Sequence, residues 1–130
     1  MTDTPARLTF GRSSRILNAK DYSAVMRGRM RFGGDLFVGH LKVREDTREW
    51  RLGLIVPKKF EPSAVRRNAV KRVWRDLFRR HLPALENLRA GHDLVIRLAA
   101  RPGIHALTPL RRLCQEEAGV LLTQISTALR

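Results

Sequence analysis

Leu52-Gly53-Leu54-Ile55-Val56-Pro57-Lys58-Lys59, followed by Ala64-Val65-Arg66-Arg67-Asn68-Ala69-Val70-Lys71-Arg72-Val73-Trp74-Arg75-Asp76, places a strand and a helix in one short span. The first run is apolar up to Pro57, which has no N–H to give a ladder and so ends or edges a strand. From Arg66 to His81 the side chains separate at about 100° per residue into two arcs. Val70, Val73, Trp74, Leu77, Phe78 and His81 fall on one; Arg67, Asn68, Lys71, Arg72, Arg75 and Arg79 fall on the other. A helix with this division buries one arc on a sheet and turns a basic arc outward. Pro83 is expected to break it.

Upstream, Phe37, Leu41 and Val43 alternate with Val38, His40 and Lys42, the pattern of a strand with one buried face. Glu45 to Glu49 makes a charged tip, and Trp50 to Val56 is expected to return beside the first strand as an antiparallel hairpin. Earlier still, Ala19, Tyr22, Val25 and Met26 have helical spacing, with Asn18 as N-cap and Gly28 as stop. Downstream, Asp93 to Ala99 reads as a buried strand and Arg101-Pro102-Gly103 as a turn. Thr108 can cap a last helix striped by Leu110, Leu113, Cys114, Leu121, Leu122 and Ile125. The expected fold is an α/β sandwich of αβββαβα order, a small, mostly antiparallel sheet with helices packed on it. No repeat or linker divides the chain, so residues 1–130 are expected to form one domain, with 1–12 a flexible N-terminal segment.

Charge narrows the function. Lys and Arg number 26 against 12 Asp and Glu, a net charge of +14 and a pI near 11.6. Self-repulsion on this scale calls for a polyanionic partner. Arginines lying between strand-like and turn-like segments, rather than along one amphipathic surface helix, favour nucleic acid over membrane. No apolar run approaches the roughly 18 residues of a membrane span. Met1 to Phe10 lacks the apolar stretch of a secretory signal, so a cytoplasmic location is expected. Cys114 is the only cysteine and can form neither an internal disulfide nor a cysteine-based zinc site.

Arg67, Lys71 and Arg75 step by four residues, as do Asn68 and Arg72, which makes a double row on one helical face. Like charges so spaced repel by about a few tenths of a kcal/mol per pair. A phosphate backbone relieves this, because Arg forks bind phosphate bidentately and Asn both donates and accepts. An ordinary solvated face would mix signs.

Catalytic groups do not assemble to match. Glu45, Asp46 and Glu49 share a loop tip, Glu116 and Glu117 read as solvated charge on a helix, and His40, His81, His92 and His105 lack metal-ligand spacing. His81 is read as a C-terminal dipole partner or a packed side chain. No catalytic or metal-binding residue is therefore expected. Charge and spacing alone leave open a structural RNA-binding protein and a metal-dependent nuclease.

The strand, Lys58-Lys59 and the Arg-Asn-x-x-Lys-Arg-x-x-Arg helix resemble the bacterial ribonuclease P protein family. Asp21-Tyr22-x-x-Val25-x-x-Gly28, Phe37-Val38 and the stretch from Asp93 to Gly103 follow in family order, so the resemblance covers nearly the whole chain. It implies a left-handed crossover from the strand near Lys58 through the basic helix to the strand near Val95, where the general rule is right-handed. It also implies two partners, the ribonuclease P catalytic RNA and precursor tRNA, and no obligatory protein partner. Lys58, Lys59, Arg66, Arg67, Asn68, Lys71, Arg72, Arg75 and Arg79 would bind RNA. Tyr22, Met26, Val38 and His40 would line a cleft for the 5′ leader, with Met26 and His40 standing where relatives often carry aromatics. The implied chemistry is RNA-based hydrolysis using Mg²⁺, with no cofactor on the protein alone. Glu61-Pro62-Ser63 departs from a loop that is often basic or Gly-containing.

Overall fold

The computed structural model describes residues 15–16, 19–28, 30–88, 90–103 and 106–129. The segment 1–12, the Asn18 cap and His105 lie outside the described residues. The elements run α1 (Ala19–Met26), β1 (Met30–Gly33), β2 (Phe37–Arg44), β3 (Arg51–Ile55), α2 (Ala64–Glu86), β4 (Gly91–Leu98) and α3 (Leu107–Ala128), the αβββαβα order expected. The strands form one mixed sheet in the order β1-β2-β4-β3.

Strand pairing departs from expectation. β2 does not hairpin with β3: it pairs antiparallel with β1 on one side and β4 on the other, and β3 pairs parallel with β4. The cause is the burial of β4, whose His92 to Ile96 are covered on both faces, a demand only an interior strand meets. The connection through Glu45–Trp50 therefore passes over the start of β4, where Gly91 N–H donates to the Thr47 carbonyl at 2.7 Å. β3 takes the edge, and its outer side is covered where Ile16 N–H donates to the Leu52 carbonyl. The β3–α2–β4 unit is the crossover that the family resemblance implies to be left-handed.

Alternation then divides the sheet into two working faces. Phe37, Leu41, Leu52, Leu94, Ile96 and Leu98 point to α2 and α3 and form the main core with Val70, Trp74, Phe78, Leu110, Leu121 and Ile125. The Phe37 and Trp74 rings meet edge to face at 5.2 Å. Val95, from the opposite face, packs with Ile16 and Val25 under α1. The basic helix and α1 thus lie on opposite sides of the sheet.

Two helix boundaries differ from expectation. α2 continues through Pro83 to Glu86. A proline there costs about 3 kcal/mol, but the extra turn buries Leu82 and Leu85, each of which contributes roughly 1.5–3 kcal/mol. α3 begins at Leu107 with Ala106 at the cap, so Thr108 is already helical and caps nothing. Pro109 in the first turn permits this, because its missing N–H would have had no helical partner. Among the described residues no helix is long and apolar enough to cross a membrane.

Candidate nucleic-acid interface

The basic arc of α2 is not uniformly free. Ser63 caps the helix, its Oγ accepting from Arg66 N–H at 3.3 Å. Glu61, only 4% exposed, takes the Arg66 guanidinium at 2.9 Å, and Arg67 donates to the Glu61 and Pro62 carbonyls. Arg66, expected to bind RNA, is therefore compensated within the chain. The acidic loop that interrupts the family pattern is its buried counter-ion. Arg79 is also held, with Arg80, by Asp76.

Between these ends lie Asn68, Arg72 and Arg75, exposed, and Lys71, half-buried. Among the described residues no carboxylate pairs with Lys71, Arg72 or Arg75. Lys71 and Arg75 line a cleft of about 160 Å³ with Arg15, Ile16, Tyr22 and Leu54. Partial burial and the neighbouring Arg15 hold Arg75 below the usual guanidinium range. Lys58 and Lys59 stand exposed in the turn leading into α2, with Lys59 Nζ 4.9 Å from the Phe60 ring centre.

On the opposite sheet face the residues matched to a leader cleft are spread out. Tyr22 lies over β3, where its hydroxyl accepts the outward Leu54 N–H at 3.2 Å. Gly53 makes room for it: a Cβ there would fall 2.6 Å from Tyr22 Cε1, so the strand's glycine is a docking position for the ring. Met26 packs beside Val25 and Val95. Val38 and His40 are buried on β2, with β4 between them and Tyr22's strand, a lateral offset of about 10 Å.

An ion-pair network ties α1 to this face. Arg51 forks onto Asp93, which is 5% exposed, with both hydrogen bonds at 2.7 Å, and reaches Asp21 of α1 at 3.5 Å. The bond to Asp93 raises the Arg51 pKa, keeping the guanidinium charged. Arg44 also lies 3.8 Å from Asp93, so loss of Arg51 would leave the buried carboxylate with one more distant cation and weaken the fold.

His40 is 6% exposed, and its Nε2 has no hydrogen-bond partner among the described residues. Burial, then Arg97 and Arg31, lower its pKa below 6.5. His92 is lowered too, chiefly by burial. The unfolded chain therefore binds protons first as pH falls, so the stability these histidines preserve is present above pH 6.5 and is lost as pH drops toward their folded values. Urea midpoints are expected to fall between pH 7 and 5.5. His40→Asn should flatten that decline, leaving the part due to His92; an unaltered pH profile would contradict the burial argument.

Several residues have roles that wheel and spacing did not reveal. Glu117, read as solvated, accepts from Leu36 N–H at 2.9 Å and Phe37 N–H at 2.7 Å, fastening α3 to the β1–β2 turn. His81 bonds the Leu77 carbonyl at 2.9 Å well before the end of α2, so it is a packed side chain and not a C-terminal dipole partner. Among the described residues no three His, Cys, Asp or Glu side chains converge to hold a metal. Glu61 in the loop before α2 and Asp76 on the helix are both engaged by arginine.

Comparison with known proteins agrees with this arrangement. The profile of the family described as Ribonuclease P matches residues 10–123. A Ribonuclease P protein component from Ralstonia pickettii is 33% identical over 115 residues, covering 86% of this chain and 79% of the relative. One from Marinomonas is 41% identical over 100 residues, covering 75% and 70%. In fold, the chain is similar to the RNase P protein of Staphylococcus aureus, with a TM-score of 0.72 at 20% identity over 92% of this chain and 100% of that one. The Thermotoga maritima RNase P protein gives 0.62 at 22% identity over 84% and 96%. A match this extended, on a chain whose basic helix and strand signature occupy one crossover, means that the protein belongs to the ribonuclease P protein family.

Proposed function

We propose that the chain is the protein subunit of a ribonuclease P ribonucleoprotein: it binds the catalytic RNA and the 5′ leader of precursor tRNA, and assists Mg²⁺-dependent endonucleolytic removal of that leader. The observation that carries this reading is the central row Asn68, Lys71, Arg72 and Arg75, which presents cations with no carboxylate partner among the described residues. Folded RNA supplies phosphates at the density such a row neutralises. Arg66, Arg67 and Arg79 act behind it, holding the helix start and the ridge in place, while Lys58 and Lys59 extend the positive field toward β3.

The face beneath α1 takes the leader. Tyr22, Met26, Val38 and His40 belong to that face, and Arg31 and Arg97 near His40 supply attraction for its backbone. His40 lies buried beneath that face and, with its pKa lowered by burial, adds no charge to it. The catalytic chemistry is the RNA's, with Mg²⁺ held there; the protein contributes affinity and charge neutralisation, in a complex that works in the cytoplasm.

Reconstitution tests this. Purified protein should leave precursor tRNA intact, and cleavage should require ribonuclease P RNA and Mg²⁺. Arg72→Ala should lower the slope of log affinity against log salt by about one in titrations of the catalytic RNA. Cleavage by protein alone, or an unaltered slope, would reject the subunit reading.

A further inference from the structure

We infer that α3 supplies a second wall of the RNA-binding surface, so that a phosphodiester segment of the catalytic RNA lies in the groove between α2 and α3, gripped by Arg72 from one side and Arg111 from the other. The inference rests on the reading of α2 as RNA-binding and extends it to a helix that carries none of the signature residues.

The groove has a volume of about 600 Å³. Its floor is Ala69 and Val73, and its walls carry Arg72, Arg75 and Arg79 from α2 and Arg111 from α3. The one carboxylate on its lining, Asp76, is already taken by Arg79 and Arg80. Among the described residues no ion pair joins Arg72, Arg75 or Arg111 to an acid. Arg72 and Arg75 of α2 and Arg111 of α3 therefore line one channel with no ion-pair partner among the described residues, and their mutual repulsion is relieved when an anion enters.

The chemistry of the lining selects the kind of anion. The floor is small and apolar and the lining has no aromatic ring, so nothing there stacks a base. Guanidiniums with the Asn68 and Gln115 amides match phosphate oxygens and ribose hydroxyls. A backbone segment fits this lining better than a splayed base. Lys71 and Arg75 face the cleft beside Tyr22, while Asn68 and Arg72 face α3. The basic ridge thus serves two channels, and Arg75 borders both.

Because Arg111 is exposed, its replacement should leave the melting curve unchanged. Arg111→Ala, titrated with ribonuclease P RNA over a salt series, is expected to lower the salt slope by about one and the affinity by about eightfold at 0.1 M salt, the counterion contribution of one phosphate. Arg111→Lys should retain most of the slope. Arg72→Ala, run in parallel, separates the two readings. A normal loss in Arg72→Ala with none in Arg111→Ala overturns the α3 wall and leaves the α2 face standing. No loss in either overturns both. Weaker binding of precursor tRNA to the assembled complex, with unchanged affinity for the catalytic RNA, would also overturn the assignment, because the groove would then serve the substrate.

Discussion

Gly91→Ala is expected to lower the melting temperature by about 10 °C, corresponding to about 3 kcal/mol in a domain of this size. A Cβ at Gly91 would lie 2.0 Å from the Glu49 carbonyl oxygen and 2.8 Å from the Arg48 and Glu49 carbonyl carbons, all backbone. Backbone cannot rotate aside as a side-chain tip can. The crossing loop would have to lift, breaking the Gly91–Thr47 hydrogen bond and disturbing Trp50, which is 1% exposed, and Arg51, which holds Asp93. The restriction is one of space and not of backbone conformation, since the positive φ among the described glycines belongs to Gly103. Gly33→Ala, where the added methyl meets nothing within 4 Å, is the control and should melt close to the parent. Circular dichroism melts of the two variants decide it; matching curves would mean that the loop is not wedged against β4.

That contact also explains what the sequence could not convey. Alternation in Phe37–Val43 and the apolar run at Leu52–Val56 correctly mark two strands, and their closeness in sequence suggests a hairpin. Which strand lies between them depends on Asp93–Leu98, some forty residues later, whose need for two buried faces is met only in the sheet interior. The parts dictated by local periodicity were legible: the buried arc of α2, the stripe of α3 and the order of elements. The basic arc was legible to the same degree. A helical wheel identifies the basic arc, but it cannot show that Glu61 in the preceding loop reaches Arg66, or that Glu117 accepts hydrogen bonds from backbone eighty residues away. The hold of Asp76 on Arg79 and Arg80 was missed as well, although i,i+3 and i,i+4 spacing could have signalled it. Tyr22 was half legible. Helical spacing put it on the inward side of α1, yet its partner is the glycine of the signature strand, and an isolated glycine in a strand is a sign of close approach.

The larger functional effect is expected from Lys71→Ala, Arg72→Ala and Arg75→Ala combined. Each phosphate contact contributes roughly 0.9 to the slope of log affinity against log salt, so losing three lowers affinity for the catalytic RNA by about five hundredfold at 0.1 M salt. The fold should survive: Arg72 and Arg75 are exposed, Lys71 is half-buried, and none of them pairs with a carboxylate among the described residues. Removing repulsive i,i+4 neighbours should even stabilise α2 slightly. On the proposed reading, in which these side chains hold RNA and perform no chemistry, the protein concentration giving half-maximal cleavage of precursor tRNA should rise by about the same factor, while the rate at saturating protein stays near the parent value. Raising the salt should narrow the gap between variant and parent, since the parent has three more counterion-dependent contacts to lose. A variant whose maximal rate collapses at saturation, with its RNA affinity intact, would move these residues from binding into the catalytic step and would require a different account of the α2 face.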